Sequence, residues 1–189
     1  DDEQRGLRAR LDRLFFGSNP VARRIAAAMI SRLCDKASPR RVLVIGGGAL
    51  GSGADPLYEA DDIELIETDV YASPNTRLVA DGHELPFKDC SFDAVWIQAV
   101  LEHVLDPWRV VDEIHRVLKP SGLLYMMEPV PSGNYHDATK LVNDETPVRT
   151  EAFRAIVGLA AKGFVPKSEI MYRARRTFAA FEDWIGGQI

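Results

Sequence analysis

Residues 41–51 read RVLVIGGGALG. Four apolar side chains follow Arg41 and run straight into three glycines. A short, continuous apolar run stopped by glycine is how a strand buried on both faces of a parallel sheet reads. Gly46, Gly48 and Gly51 then spell G-x-G-x-x-G. In a doubly wound sheet, ligands lie beyond the carboxyl ends of the strands. There the chain must turn sharply and let a ligand approach its backbone, and glycine allows both.

Working outward, residues 63–67 (IELIE) read as a second strand and 76–80 (TRLVA) as a short third. Residues 92–97 (FDAVWI) read as a fourth and 123–127 (LLYMM) as a fifth. The clearest helix lies between the last two. Asp106 caps it, Pro107 occupies its first turn, Val110, Ile114, Val117 and Leu118 form its buried stripe, and residues 119–122 (KPSG) end it. Before the first strand, Asn19 and Pro20 open a helix with an apolar stripe of Val21, Ile25, Ala28, Met29 and Leu33. Leu7, Leu11, Leu14 and Phe15 set out another over residues 1–16. Toward the end, Phe153, Ile156, Val157 and Ala160 form a helix stopped at Gly163, and residues 164–171 read as a late strand. Residues 174–185 fit a helix or a β-hairpin. Alternating strands and helices predict an α/β fold: a doubly wound, mostly parallel sheet with helices on both faces and an N-terminal helical extension.

The 189 residues, 46% hydrophobic and 27% charged, suit one domain with one sizeable core. Residues 1–38 are expected to be the helical extension, 41–128 the ligand-binding core, and 129–189 a substrate loop, last helix and late strand. A net charge of −5 argues against a broad nucleic-acid footprint, which needs a basic face. Cys34 and Cys90 have neither metal nor redox spacing and are expected to be small buried residues in a reducing compartment. No apolar run reaches the roughly 20 residues of a membrane span, and no signal-peptide pattern opens the chain, so the expected location is the cytoplasm.

An acid closing the second strand, roughly 20 residues after the first glycine, would accept hydrogen bonds from a ribose diol. Glu67 and Asp69 are the candidates, and Asp69 is favoured because Glu67 falls within the strand. To this point the residues fit a nicotinamide or flavin dehydrogenase, an adenylating enzyme or an S-adenosylmethionine site equally well.

Residues 81–127 separate these readings. Asp81 precedes Leu85-Pro86-Phe87; Phe92-Asp93-x-Val95, Leu101-Glu102-His103-Val104 and Arg116-Val117-Leu118-Lys119-Pro120-x-Gly122 follow. Together with the glycine loop, this order and spacing closely resemble the class I S-adenosylmethionine-dependent methyltransferases, in the branch with many small-molecule enzymes, over roughly residues 41–128. The resemblance implies a Rossmann-like methyltransferase fold, S-adenosylmethionine as cofactor and a small-molecule methyl acceptor. It puts Gly46 and Gly48 under the methionine and ribose portion and gives Asp69 the ribose. Asp81 would take the adenine amino group, with Gly82 and His83 beside the ring, and Gln98 would lie near the methionine end. Two features depart from the family pattern. Val44 stands where the family often has an acid, and the chain after the fifth strand is short.

Transfer from a sulfonium needs alignment and water exclusion, plus a general base only when the acceptor must lose a proton. Among the four histidines, His136, beside Tyr135 and Asp137 in the expected substrate loop, is the candidate base. His103 is read as structural and His115 as surface. Tyr135, Phe15, Phe16 and Trp108 are candidate pocket walls. The alternatives kept open are a methyltransferase-like domain that binds without catalysis and a nicotinamide-binding oxidoreductase. The latter finds no hydride-transfer Lys/Tyr pair or zinc-type cysteines downstream.

Overall fold

A computed structural model describes residues 19–33 and 40–172. The helix expected over residues 1–16, the ambiguous segment 174–185, Cys34, Phe15 and Phe16 lie outside the described residues. Helix α1 (Pro20–Leu33) is followed by β1 (Arg40–Ile45), a single-turn α2 (Asp55–Tyr58), β2 (Ile63–Asp69), β3 (Leu78–Val79) and β4 (Phe92–Gln98). After a 3-10 turn (Leu101–His103) come α3 (Pro107–Val117), β5 (Leu118–Met127), α4 (Asn134–Thr139), α5 (Thr146–Val157) and a second 3-10 turn (Gly158–Lys162). The five strands lie in the order β3-β2-β1-β4-β5, and every pairing is parallel. The order reverses beside β1, so the loop after β1 opens at the switch point where such sheets bind ligands.

Alternation along the strands builds two cores. Leu43 and Ile45 of β1, with Val95 and Ile97 of β4, face Val110, Ile114 and Val117 of α3 and Ala152 and Ala155 of α5. Val42 and Val44, with Ala94 and Trp96, face Ala26, Met29 and Leu33 of α1 and Leu57 of α2. Both strand faces are covered, which is why the sequence shows continuous apolar runs. Trp96 stacks on Tyr125 of β5, with ring centroids 3.6 Å apart and planes at 18°.

The motif residues explain the corners. Asp93 receives Arg40 Nη1 at 2.9 Å, the Arg41 amide at 3.1 Å and Lys119 Nζ at 3.0 Å, joining the amino ends of β1, β4 and β5. Glu113 and Arg116 of α3 bind the Leu85–Phe87 segment. Glu113 accepts from the Leu85 amide at 2.7 Å, and Arg116 donates to the Leu85 and Phe87 carbonyls at 2.9 and 2.7 Å.

Several expectations change. In α1 the buried positions are Ala22, Ala26, Met29 and Leu33, while Ala28 is exposed, so the stripe is rotated and packs through alanines that permit close approach. Helix α3 stops at Val117, and residues 119–122 become an irregular insertion within β5: Phe92 pairs with Leu118, yet Ala94 pairs with Leu123. Ser121 takes φ +63° there. Cys90 is exposed. No strand forms over residues 164–171, where Val165 and Met171 are 73% and 72% exposed and have no sheet neighbour to cover them. The expected substrate loop contains α4. Among the described residues, no helix is long and apolar enough to cross a membrane.

Candidate functional site

The glycine loop is held by its neighbours before any ligand is considered. Gly46 has φ +75°, and a Cβ there would run into Val100. The Gly47 amide donates to the Thr68 carbonyl at 2.9 Å, and Thr68 Oγ1 donates to the Val44 carbonyl at 3.2 Å. Thr68 of β2 therefore supplies a polar anchor at the loop where Val44, 5% exposed in the apolar core, offers none.

Asp69 is the last residue of β2. Its Oδ2 accepts from the Gly48 amide at 2.8 Å and its Oδ1 from the Val70 amide at 2.7 Å. Each carboxylate oxygen has further lone pairs, so the group keeps capacity for a diol. Glu67 lies two residues deeper, 1% exposed, and pairs with Arg77 Nε at 3.1 Å. The side chain at the loop is thus that of Asp69. Tyr71 lies over the same place: a Cβ on Gly48 would stand 2.8 Å from its hydroxyl and 2.7 Å from Asp69 Oδ2.

Gln98 ends β4 directly beneath the loop. Its Nε2 donates to the Ser52 carbonyl at 3.2 Å. Its Oε1 is buried with no hydrogen-bond partner among the described residues, and a Cβ on Gly51 would come within 2.6 Å of it. An unpaired buried acceptor at the end of a central strand is costly unless a donor arrives.

Asp81 is an exposed residue two positions beyond β3. It accepts from the His83 amide at 2.9 Å and from His83 Nδ1 at 2.6 Å. These two hydrogen bonds hold its carboxyl below the ordinary carboxylate range. His83 Nε2 in turn accepts from the Asp106 amide at 3.1 Å, which assigns the proton to Nδ1. The side chain of Asp106 caps α3, so Asp81, His83 and the start of α3 form one chain of hydrogen bonds. Gly82 is buried against Val110 and Ile45.

Gly46, Gly48, Asp69 and Gln98 therefore converge on the loop, and Asp81, Gly82 and His83 flank it beyond β3. His136 does not join them. It is 2% exposed within α4, with Nε2 3.2 Å from Thr146 Oγ1 and Nδ1 buried with no hydrogen-bond partner among the described residues. The expected substrate loop is thus helical at His136, and the residue is buried there among the described residues. Contrary to the structural reading, His103 is exposed and lies 3.7 Å from Glu102 Oε1. His115 is exposed, and its ring meets Phe164 edge-on with centroids 5.4 Å apart.

Sequence reasoning missed Glu128, the residue immediately after β5. Its Oε1 accepts from the amides of Val100 and Leu101, both at 3.0 Å. Its Oε2 is closed off from solvent and has no hydrogen-bond partner among the described residues. Burial pushes its carboxyl up to about 7, beyond what the amides offset, and Glu102 adds to the rise. The available signal was position: Asp69, Gln98 and Glu128 stand at or just past the carboxyl ends of three parallel strands.

Residues 58–126 match the methyltransferase domain family. A 27-O-demethylrifamycin SV methyltransferase of Amycolatopsis mediterranei is 41% identical over 66 residues, covering 33% of this chain and 24% of that one. An uncharacterized methyltransferase of Mycobacterium sp. (strain JLS) is 33% identical over 122 residues, covering 58% and 48%. The chain thus spans less than half the length of these curated relatives. Phosphoethanolamine N-methyltransferase 2 of Haemonchus contortus, solved with S-adenosyl-L-methionine, superposes with a TM-score of 0.54 at 23% identity, over 74% of this chain and 36% of that one. That likeness concerns the fold.

Proposed function

With residues 58–126 matching the methyltransferase domain family and a glycine loop at the switch point of a parallel β3-β2-β1-β4-β5 sheet, we propose that this chain transfers a methyl group from S-adenosylmethionine to a small-molecule acceptor. The observation that carries the reading is the pairing of two groups across the glycine loop. Asp69 holds the Gly48 amide, and Gln98 Oε1, which has no hydrogen-bond partner among the described residues, lies beside Gly51. These donors and acceptors fit the cofactor: Asp69 suits the ribose hydroxyls and Gln98 Oε1 suits the ammonium of the methionine end. Asp81 suits the adenine amino group, beside Gly82 and His83, and Gly46 and Gly48 leave the backbone open beneath the ligand.

Once bound, S-adenosylmethionine supplies a methyl group on a positively charged sulfonium. The chain's own residues orient and enclose. Asp69 and Gln98 fix the ribose and the methionine end of the ligand across the sheet's switch point, the alignment that a displacement needs. Val100 and Tyr71 pack against the loop and limit water. No histidine is assigned as base, so an acceptor that is already anionic, or loses its proton to solvent, suits the site best. The name of the Amycolatopsis relative supports a small-molecule acceptor, and the net charge of −5 supports one that is not nucleic acid.

The test is isothermal titration with S-adenosylmethionine, S-adenosylhomocysteine and NAD, on the wild type and on Asp69→Ala and Asp81→Ala. Both adenosyl ligands are expected to bind. Asp69→Ala should weaken them at least tenfold, since a charge-assisted hydrogen bond contributes about 1.5–3 kcal/mol. Asp81→Ala should weaken them less, because its carboxylate is exposed. Binding of NAD alone would overturn the proposal. Binding without methyl transfer across a panel of hydroxyl, amine and carboxylate acceptors would point to a domain that binds without catalysis.

A further inference from the structure

Gly48 and Asp69, the two residues proposed to meet the ribose, already share their space with a third. From the position a Cβ on Gly48 would take, Asp69 Oδ2 lies at 2.7 Å, and both Cζ and the hydroxyl of Tyr71 lie at 2.8 Å. The tip of the phenol ring and the carboxylate oxygen therefore stand on the same side of Gly48. Glycine leaves room there for a ligand to approach the backbone, and the ring fills that room. Its packing keeps water off the loop, and it keeps a ribose off as well.

The backbone of Tyr71 is fixed, but its side chain is not. Thr76 Oγ1 donates to the Tyr71 carbonyl at 3.2 Å, and Ser73 Oγ accepts from the Asn75 and Thr76 amides, both at 3.1 Å. Residues 71–76 thus form a turn closed on itself. Tyr71 is 55% exposed, and its hydroxyl forms no hydrogen bond among the described residues. Van der Waals contact with Gly48 is what seats the ring. Rotation about its own side-chain bonds, with the turn unmoved, lifts it into solvent on the timescale of exposed side chains.

We propose that Tyr71 is a gate on the ribose subsite: its ring rests on Gly48 beside Asp69 and must rotate away before a ribose can reach both. The identity of the ligand rests on the methyltransferase reading; the place of the ring does not. Two groups cannot fill one space, so the loop binds only while the ring is off it, and the apparent affinity falls by that fraction of time. Removing the ring should raise the affinity by the same factor, roughly threefold for a ring seated two thirds of the time and tenfold for one seated nine tenths. The gain should lie in the association rate, because a ring that has left the subsite holds nothing once the ribose is in. A tyrosine that covered the bound ribose would act with the opposite sign: its loss would speed dissociation and weaken binding.

The experiment follows S-adenosylhomocysteine binding by surface plasmon resonance on the wild type, Tyr71→Ala and Tyr71→Phe. NMR cross-relaxation between the Tyr71 ring protons and the Gly48 α-protons reports where the ring stands. The wild type should show that cross-peak before ligand is added and lose it at saturation. Tyr71→Ala should associate roughly three- to tenfold faster, with dissociation unchanged. Tyr71→Phe keeps Cζ, which stands as near to Gly48 as the hydroxyl does, and should stay closer to the wild type than to Tyr71→Ala. Weaker binding with faster dissociation in Tyr71→Ala, a cross-peak missing before ligand is added, or one that survives saturation would each overturn the gate and leave the methyltransferase reading standing. If neither the wild type nor Tyr71→Ala binds the adenosyl ligand, the reading fails and the gate with it.

Discussion

At Gly46 two requirements fall on one residue. Its φ of +75° suits glycine, and the space a Cβ would need is already filled by Val100. Gly46→Ala is therefore expected to destabilise the protein by about 1–3 kcal/mol, read from the guanidinium midpoint at unchanged slope. A change of only a few tenths would mean that Val100 yields readily and that its seat on Gly46 matters little. The same scale explains why Asp69 and not Glu67 serves the loop. Both carboxylates lie on one face of β2, but Glu67 is two residues deeper, 1% exposed, with the Gly47 backbone laid over it. Spacing along the sequence leaves both open. Depth decides between them, and depth is set by how far β2 runs before the sheet ends.

At the scale of elements, the turn after β4 and the start of α3 are where the chain is held most by polar groups. Asp106 accepts from the Trp108 and Arg109 amides at 3.0 and 3.1 Å, and its own amide donates to His83. Asp106→Ala should cost about 1 kcal/mol by loss of the cap, measured by urea denaturation. Asp106→Asn should recover most of it, and failure of that rescue would show that the cap is not the source. The 3-10 turn of Leu101–His103 is tied to α5 by Glu102 and Arg149, 8% exposed each. Removing one partner leaves a buried charge without its counterpart, so Arg149→Ala should destabilise by about 3 kcal/mol. A double variant with Glu102→Gln is expected to recover part of that loss. Additive losses in the pair would argue against the coupling. Neither member of this pair is visible as such in the sequence, because 47 positions separate them.

For the whole molecule, stability should pass through a maximum with pH, because its carboxylates are shifted in opposite directions. Asp93 is pushed up by burial but pulled below its ordinary value by Lys119, the Arg41 amide and Arg40; Glu113 is lowered chiefly by Arg116. Groups lowered on folding contribute stability above their unfolded value near 4, and that contribution is lost as the pH falls through their folded values. Glu128 is shifted up to about 7 by burial, so its ionisation opposes folding progressively from about pH 4.5 to 7, by up to about 3 kcal/mol. Urea midpoints measured from pH 3 to 9 should therefore peak between roughly 4 and 5. Glu128→Gln should remove the decline on the alkaline side and leave the acid limb unchanged. An alkaline decline that survives in that variant would assign it to other groups.

The sequence by itself determined the class of the sheet, the place of its switch point and the family resemblance. Each of these rests on local rules: apolar runs for strands covered on both faces, glycines where the chain turns sharply, and a chain of short motifs at set intervals. It also determined Asp69, Asp81 and Gln98 as candidates, since each follows a strand whose end the pattern marks. Tertiary structure alone decided which side chains meet there. Val100 on Gly46, Tyr71 on Gly48, Thr68 as loop anchor and Glu128 beneath the turn after β4 all arise from parallel strands placed side by side with long connections between them. Such strands bring together residues whose spacing along the chain carries no period to read. The same cause withdrew His136 from the loop. Residues 134–139 coil into α4 and leave His136 2% exposed, which no spacing in the segment marks.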